Sequence, residues 1–330
     1  MTALHMSSQG GHDDTVLLLL EEGADFRAKT TKDQTALHMA SQNGHESIVK
    51  RLFGRGASLD IQDKDGITAL TSAASHGKEQ VVQFLLANKA DISTDRNNGK
   101  TALHMATSRG YEKVVHLLLE NGIYIDSQDD VGLTALHIAS WIGNEGVVHL
   151  LLEKGADLEV RTKTGFTALH LAANKGHEAV TGLLIRYNAM IEAPCRDMGA
   201  MPLHYAALSK NEAVVRLLID NDAVLESRCD KKGATALHYA VFSGAEATVR
   251  LLLDKGADVR AKNKAGNKPS YWASRLENRG AVEFLKMKEK EAKKKAKEKA
   301  KESVEEDEEE NVQDREEGEK EKGVRRFKLF

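Results

Sequence analysis

A mainly α-helical solenoid of stacked helix pairs is the fold this sequence predicts, and three observations predict it. A tetrapeptide of the Thr-Ala-Leu-His kind opens at Thr2, Thr35, Thr68, Thr101, Thr134 and Thr167, always 33 residues apart, and again at Met201, Thr235 and Lys268 after spacings of 34, 34 and 33. Nine residues after that start a Gly recurs, at Gly44, Gly77, Gly110, Gly143, Gly176 and Gly244. Between that Gly and a second one lies an apolar run typified by Val147, Val148, Leu150, Leu151 and Leu152. Self-similarity at such a period marks a supersecondary unit that buries its apolar face only by stacking on its neighbours.

Each unit reads as helix, turn, helix, connection. The opening Thr suits an N-cap, its hydroxyl placed to accept a free backbone N–H of the first turn. Pro202 and Pro269 stand just after the start of their units, where a missing N–H costs nothing. The mid-unit Gly closes the first helix in the left-handed conformation. The apolar set of the second helix is spaced mostly for one face, and Gly23, Gly56, Gly122, Gly155 and Gly256 close it. The connection reaches a further Gly two residues before the next start, at 66, 99, 132, 165, 199, 233 and 266, which suits a tight turn. The two longer spacings place one additional residue in a connection, around Ala193-Pro194-Cys195 and Cys229-Asp230-Lys231. A surface connection tolerates that more easily than a packed helix.

The formal net charge of −3 hides a division. Residues 286–330 carry 15 basic and 15 acidic side chains, which leaves 32 and 35 for residues 1–285. The mildly acidic body gives no broad electrostatic reason for nucleic-acid binding. Two cysteines, Cys195 and Cys229, make no disulfide framework. They occupy equivalent points of neighbouring units, which stack about 8–10 Å apart, too far for the bond. Free thiols and the lack of a signal peptide or a long apolar run give a cytoplasmic or nuclear expectation, with no membrane partner.

In this register the tetrapeptide extends to TALHMA (35–40 and 101–106), TALHIA (134–139), TALHLA (167–172), MPLHYA (201–206) and TALHYA (235–240). The sequence thus resembles the ankyrin repeat, whose signature is T-P-L-H-x-A, over residues 1 to about 286. The resemblance implies a β-hairpin finger in each connection, an antiparallel helix pair per repeat and a curved stack. It also implies a structural hydrogen-bonding role for His5, His38, His104, His137, His170, His204 and His238. A row translated by one repeat cannot converge on a metal, which needs three or four ligands at one point. Gly99-Lys100-Thr101 is no phosphate loop, because Thr94 stands where that motif needs a Gly. No catalytic constellation stands apart from the repeat register, so neither an enzyme nor a cofactor is expected. Asp126, Glu159, Glu192 and Glu226 share one connection position and read as a solvated acidic edge. The family often has Asn there, so its Asn hydroxylation is not expected at these sites.

The organisation expected is an array over 1–286, a Lys-rich helical extension over 287–301 and an acidic, disordered tail over 302–330. The first repeat starts at Thr2 with no finger before it, which predicts either a longer parent chain or a surface covering that end. Glu277 in place of the mid-unit Gly and Lys286 in place of a Leu make the last repeat a polar cap.

The resemblance implies that ligands meet the finger tips and the exposed side of the first helix, on the concave face. Those positions are mostly polar in the early repeats, then turn apolar with Val131, Leu133, Trp141 and Ile142 in the fifth. Phe166, Met198, Leu208 and Phe242 follow, with Lys163, Lys175, Lys231 and Lys232 as a basic rim suited to an acidic segment. Apolar residues at solvent-facing positions mark a partner site, and Trp is prominent among hot spots. The expected function is non-catalytic protein binding centred on repeats five to eight. The alternatives are a regulatory arm of a larger enzyme lying upstream, and nuclear import or nucleic-acid binding through the Lys-rich tail.

Overall fold

The computed structural model describes residues 1–229, 231–276 and 280–298. Helices follow one another in pairs: α1 (Ala3–Gly10) and α2 (Asp13–Glu21), α3 (Ala36–Asn43) and α4 (Glu46–Gly54), α5 (Ala69–Ser75) and α6 (Glu79–Ala87). Then come α7 (Ala102–Arg109) and α8 (Glu112–Glu120), α9 (Ala135–Ile142) and α10 (Glu145–Glu153), α11 (Ala168–Lys175) and α12 (Glu178–Arg186). The stack ends with α13 (Pro202–Leu208) and α14 (Glu212–Asp220), α15 (Ala236–Ser243) and α16 (Glu246–Asp254), and α17 (Pro269–Arg275). Residues 280–298 form a further helix, α18. Glu277, the acidic stretch 302–321 and the VRRFKLF segment 324–330 lie outside the described residues.

First helices pack on the first helices of adjacent units and second helices on second helices, in two rows joined by contacts within each pair. The core runs continuously between the rows. Ile48, Leu52, Leu85, Leu118, Leu151, Leu184 and Leu218 from the second row are fully buried, as are Leu70, Leu103, Leu136, Leu169 and Leu203 from the first. These are the apolar positions that the sequence pattern places on one face of each helix.

The fingers are turns, and among the described residues no β-strand occurs. Two backbone bonds close each finger, as from Asp129 N–H to the Leu133 carbonyl at 2.9 Å and from Gly132 N–H to the Asp129 carbonyl at 2.8 Å. One more ties it to the preceding finger, as from Lys163 N–H to the Val131 carbonyl at 3.1 Å. A single bond per neighbour is too few for the ladder that defines a strand pair. Gly132 is required here twice over. Its φ is +82°, and a Cβ would stand 2.7 Å from the Lys163 backbone nitrogen. In the seventh and eighth units the outer closing bond spans one residue more, from Cys195 to Ala200 and from Cys229 to Ala234. The additional residue of the seventh unit is therefore inside the finger, after Cys195 rather than around Ala193 and Pro194.

Helix ends follow the expected glycines, with Gly44, Gly110, Gly143, Gly176 and Gly244 as left-handed caps of first helices. At the equivalent end of the second helix, Lys89, Asn188 and Asp222 replace Gly yet keep its conformation, with φ of +62°, +68° and +69°. The N-terminal cap is a capping box in which the opening Thr side chain faces the backbone N–H of the third helical residue and that residue's side chain faces back. The opening hydroxyl accepts a backbone N–H of the first turn at Thr68 and Thr134, at 3.2 and 3.4 Å. The reverse arm recurs throughout, from the backbone N–H of the opening residue to His Nδ1, at 3.1–3.2 Å in Thr2, Thr35, Thr101, Thr134, Thr167, Met201 and Thr235.

α18 continues from the last repeat into the Lys-rich stretch, where residues 293–298 are exposed, while its earlier part is tied to the array. Leu285 is fully buried against the last units, and Glu289 accepts bonds from Lys268 Nζ at 2.9 Å and Ser270 Oγ at 2.7 Å. Lys286, expected on the outer face, is exposed.

Candidate functional site

The histidine row is structural in its geometry. Each ring accepts the N–H described above at Nδ1, and its Nε2 reaches the carbonyl just before the next unit's start. Those carbonyls belong to Gln34, Ile67, Leu133, Phe166, Ala200, Ala234 and Asn267, at 2.9–3.1 Å. A carbonyl only accepts, so Nε2 carries the proton and both ring nitrogens are occupied. Burial holds His38, His104, His137, His204 and His238 below the ordinary histidine range and pushes His170 down to about 4. Among the described residues no cluster of three or more His, Cys, Asp or Glu could hold a metal ion.

The acidic connection row is also committed to the fold. Asp126, Glu159, Glu192 and Glu226 each accept one backbone N–H from the next unit, those of Asp157, Met190, Val224 and Asp258, at 2.7–3.1 Å. Asp60 does the same for Asp91 at 2.8 Å. Glu192 also takes Ser227 Oγ at 2.6 Å. These carboxylates bridge units along a solvent-exposed edge.

What remains unspent lies on the side shared by first helices and fingers, in two groups. Trp141 and Ile142, at the end of α9, are 43% and 45% exposed. Lys175, from the end of α11, sets its Nζ 3.7 Å from the centre of the Trp141 indole ring. His177 reaches the Trp141 carbonyl at 3.0 Å, so the next unit grips both ends of this residue. Val131, 55% exposed at its finger tip, and half-buried Leu133 stand on the finger before α9.

The second group gathers Met198, Leu208 and Phe242 into one apolar groove with residues the sequence reading did not single out: Tyr205, Tyr239, Tyr271, Trp272 and Leu276. Rings step along it edge to face. Phe166 meets Tyr205 at 5.1 Å, and Phe242 and Tyr239 meet Trp272 at 5.8 and 6.4 Å. Phe166 is half-buried by that packing, so of the predicted residues it is among the least available. The tyrosines are turned by the cysteines beneath them. Tyr205 Oη lies 3.4 Å from Cys195 Sγ, and Tyr239 Oη donates to Cys229 Sγ at 3.7 Å. Both thiols are free and buried, and burial pushes both phenols far up, so they stay protonated.

The family model for ankyrin repeats matches the chain in overlapping stretches at residues 1–63, 37–129, 93–162, 136–229, 188–263 and 224–298. The chain is an ankyrin repeat protein. No curated protein matches it.

In ankyrin terms three of these residues, Tyr205, Tyr239 and Trp272, fill the variable x of T-P-L-H-x-A. Down the array that position reads Met6, Met39, Ser72, Met105, Ile138, Leu171, Tyr205, Tyr239 and Trp272. The change to aromatic in the last three repeats coincides with Cys195 and Cys229 in the fingers of the seventh and eighth. That pairing is the signal that could have found the groove. Among the described residues no helix is long and apolar enough to cross a membrane.

Proposed function

We propose that this chain is a non-catalytic scaffold that binds a partner protein on the concave face of its ankyrin repeats, centred on repeats five to eight. Ankyrin repeats are protein-interaction modules, and the observation that carries the finer reading is the Trp141 side chain. It stands exposed beside Ile142 while its backbone and ring face are fixed by His177 and Lys175. An ordered, amphipathic ring contributes contact area at little entropic cost, which is the usual character of a hot spot. Val131, Leu133, Phe166, Met198, Leu208 and Phe242 extend the same face to either side.

The test compares wild type with Trp141→Ala in proximity labelling and pull-down from cells. The expected result is loss of a specific set of partners, through binding weakened by about 2 kcal/mol, with the melting temperature nearly unchanged. Identical partner sets would refute the placement, and a variant that fails to fold would mean that Trp141 belongs to the core.

A further inference from the structure

The groove across repeats seven to nine has a chemistry of its own. It encloses about 400 Å³, and its wall is apolar except for Lys232 and Arg275. No carboxylate lines it, and neither Lys232 nor Arg275 joins an ion pair among the described residues. Phe242, Tyr271 and Leu276 remain 55%, 48% and 46% exposed along it. The hydroxyls of Tyr205 and Tyr239 are engaged with Cys195 and Cys229, so these rings offer the groove carbon rather than oxygen.

Two cations, Lys232 with its ammonium 6.0 Å from the centre of the Trp272 ring, and no carboxylate among the described lining residues disfavour a cationic guest, even though aromatic walls alone would suit one. The same pair attracts carboxylates at the rim, where complementary charge sets selectivity. Three repeats in register put the outer walls roughly 20 Å apart, a span of about six extended residues.

We propose that this groove binds a short extended peptide segment whose bulky apolar side chains rest on Phe242, Tyr271 and Leu276 while flanking carboxylates pair with Lys232 and Arg275. The proposal rests on the protein-binding reading above but assigns a separate contact, on repeats seven to nine, to a partner segment that is acidic and apolar together. The ninth repeat is thereby part of the binding surface.

Fluorescence polarisation of the full chain with a labelled peptide, EDFEELFD, and its cationic counterpart, KKFKKLFK, tests it. The acidic probe should bind at least about tenfold more tightly than the cationic one. Phe242→Ala should weaken the acidic probe by about tenfold or more. Lys232→Glu with Arg275→Glu, both exposed and outside the core, should reverse the charge preference. Equal binding of the two probes, or a Phe242→Ala chain that binds like wild type, would overturn the proposal. So would displacement of the probe by a synthetic peptide of residues 302–330 at equal concentration, which would make the occupant this chain's own tail. A dimer in sedimentation that the probe dissolves would assign the groove to a second copy instead. Should the probe fail while partner capture still depends on Trp141, this inference falls and the function proposed above stands.

Discussion

His170 and Ala200 are joined across two repeats by a bond from Nε2 to the carbonyl oxygen at 3.1 Å, with Nδ1 of the same ring taken by the Thr167 N–H at 3.2 Å. The imidazole is thereby fixed as the neutral Nε2–H tautomer, because protonating Nδ1 would set two donors against each other. The same arrangement holds in repeats whose histidines burial also depresses, His38, His104, His137, His204 and His238.

That geometry predicts acid sensitivity. Each of these rings has an ordinary pKa of 6.5 and sits lower when folded, at about 4 for His170. Between those values the unfolded chain binds more protons, so stability is full above 6.5 and falls as pH drops through the window. His170 alone accounts for up to roughly 3 kcal/mol once the folded ring also titrates. Urea midpoints measured from neutral pH down to about pH 4.5 should fall steadily. A midpoint flat across that range would contradict the assigned tautomers.

Lys89 is exposed and holds a φ of +62° at a position where five other repeats have Gly. Lys89→Gly should therefore stabilise the array, by about 1 kcal/mol, since a side chain in the left-handed region is strained. Asn188→Gly should gain less, because Asn tolerates that region. Gly132→Ala is the opposite case, with positive φ and a backbone nitrogen 2.7 Å from the new Cβ, and should cost about 2–3 kcal/mol. Chemical denaturation of the three variants checks the order.

Much of this was open to reading because the period is rigid. Thr2 through Thr167 at one spacing place the caps, glycines and buried leucines without reference to tertiary structure. The groove was harder to see. Within one repeat Tyr205 is an ordinary half-buried aromatic and Tyr239 an ordinary buried one, and only their conjunction with Cys195 and Cys229 in the fingers points to the groove. Trp141 was visible as an outlier in its column, but its fixation by Lys175 was not, since that contact joins positions 34 residues apart. Likewise Asp126 and Glu192 look like solvated acids until the next repeat supplies the N–H they accept.

The acidic bridges should respond to substitution by acceptor rather than by charge. Burial raises the Asp126 pKa from its ordinary 3.8. Its carboxylate form is thus penalised on folding, and the stability it confers is greatest below that value and is lost as pH rises through the folded one. Asp126→Asn keeps an acceptor for the Asp157 N–H and should leave neutral-pH stability unchanged or slightly higher. Glu192→Ala orphans both the Val224 N–H and the Ser227 hydroxyl and should cost about 1–3 kcal/mol. Equal losses in the two variants, by thermal or urea denaturation, would show that charge matters more than the bond.

The contact between Lys175 and Trp141 decides whether the indole is presented or merely exposed. With the ammonium 3.7 Å from the ring centre, an exposed pair of this kind contributes about 0.5–1 kcal/mol. A double-mutant cycle of Trp141→Ala and Lys175→Ala should recover a coupling of about that size in folding stability. Most of the fold's energy is in the buried rows, so each single variant should keep its cooperative unfolding. The consequence for binding is distinct. Freed of Lys175, the indole regains rotamers that it must give up again in a complex, which costs about 0.5–1.5 kcal/mol per side chain ordered. Lys175→Ala should therefore weaken capture of any partner that depends on Trp141, although less than Trp141→Ala itself does. A cycle with no coupling, together with unchanged capture by Lys175→Ala, would leave Trp141 a chance exposure and remove the reason to centre the site on the fifth repeat.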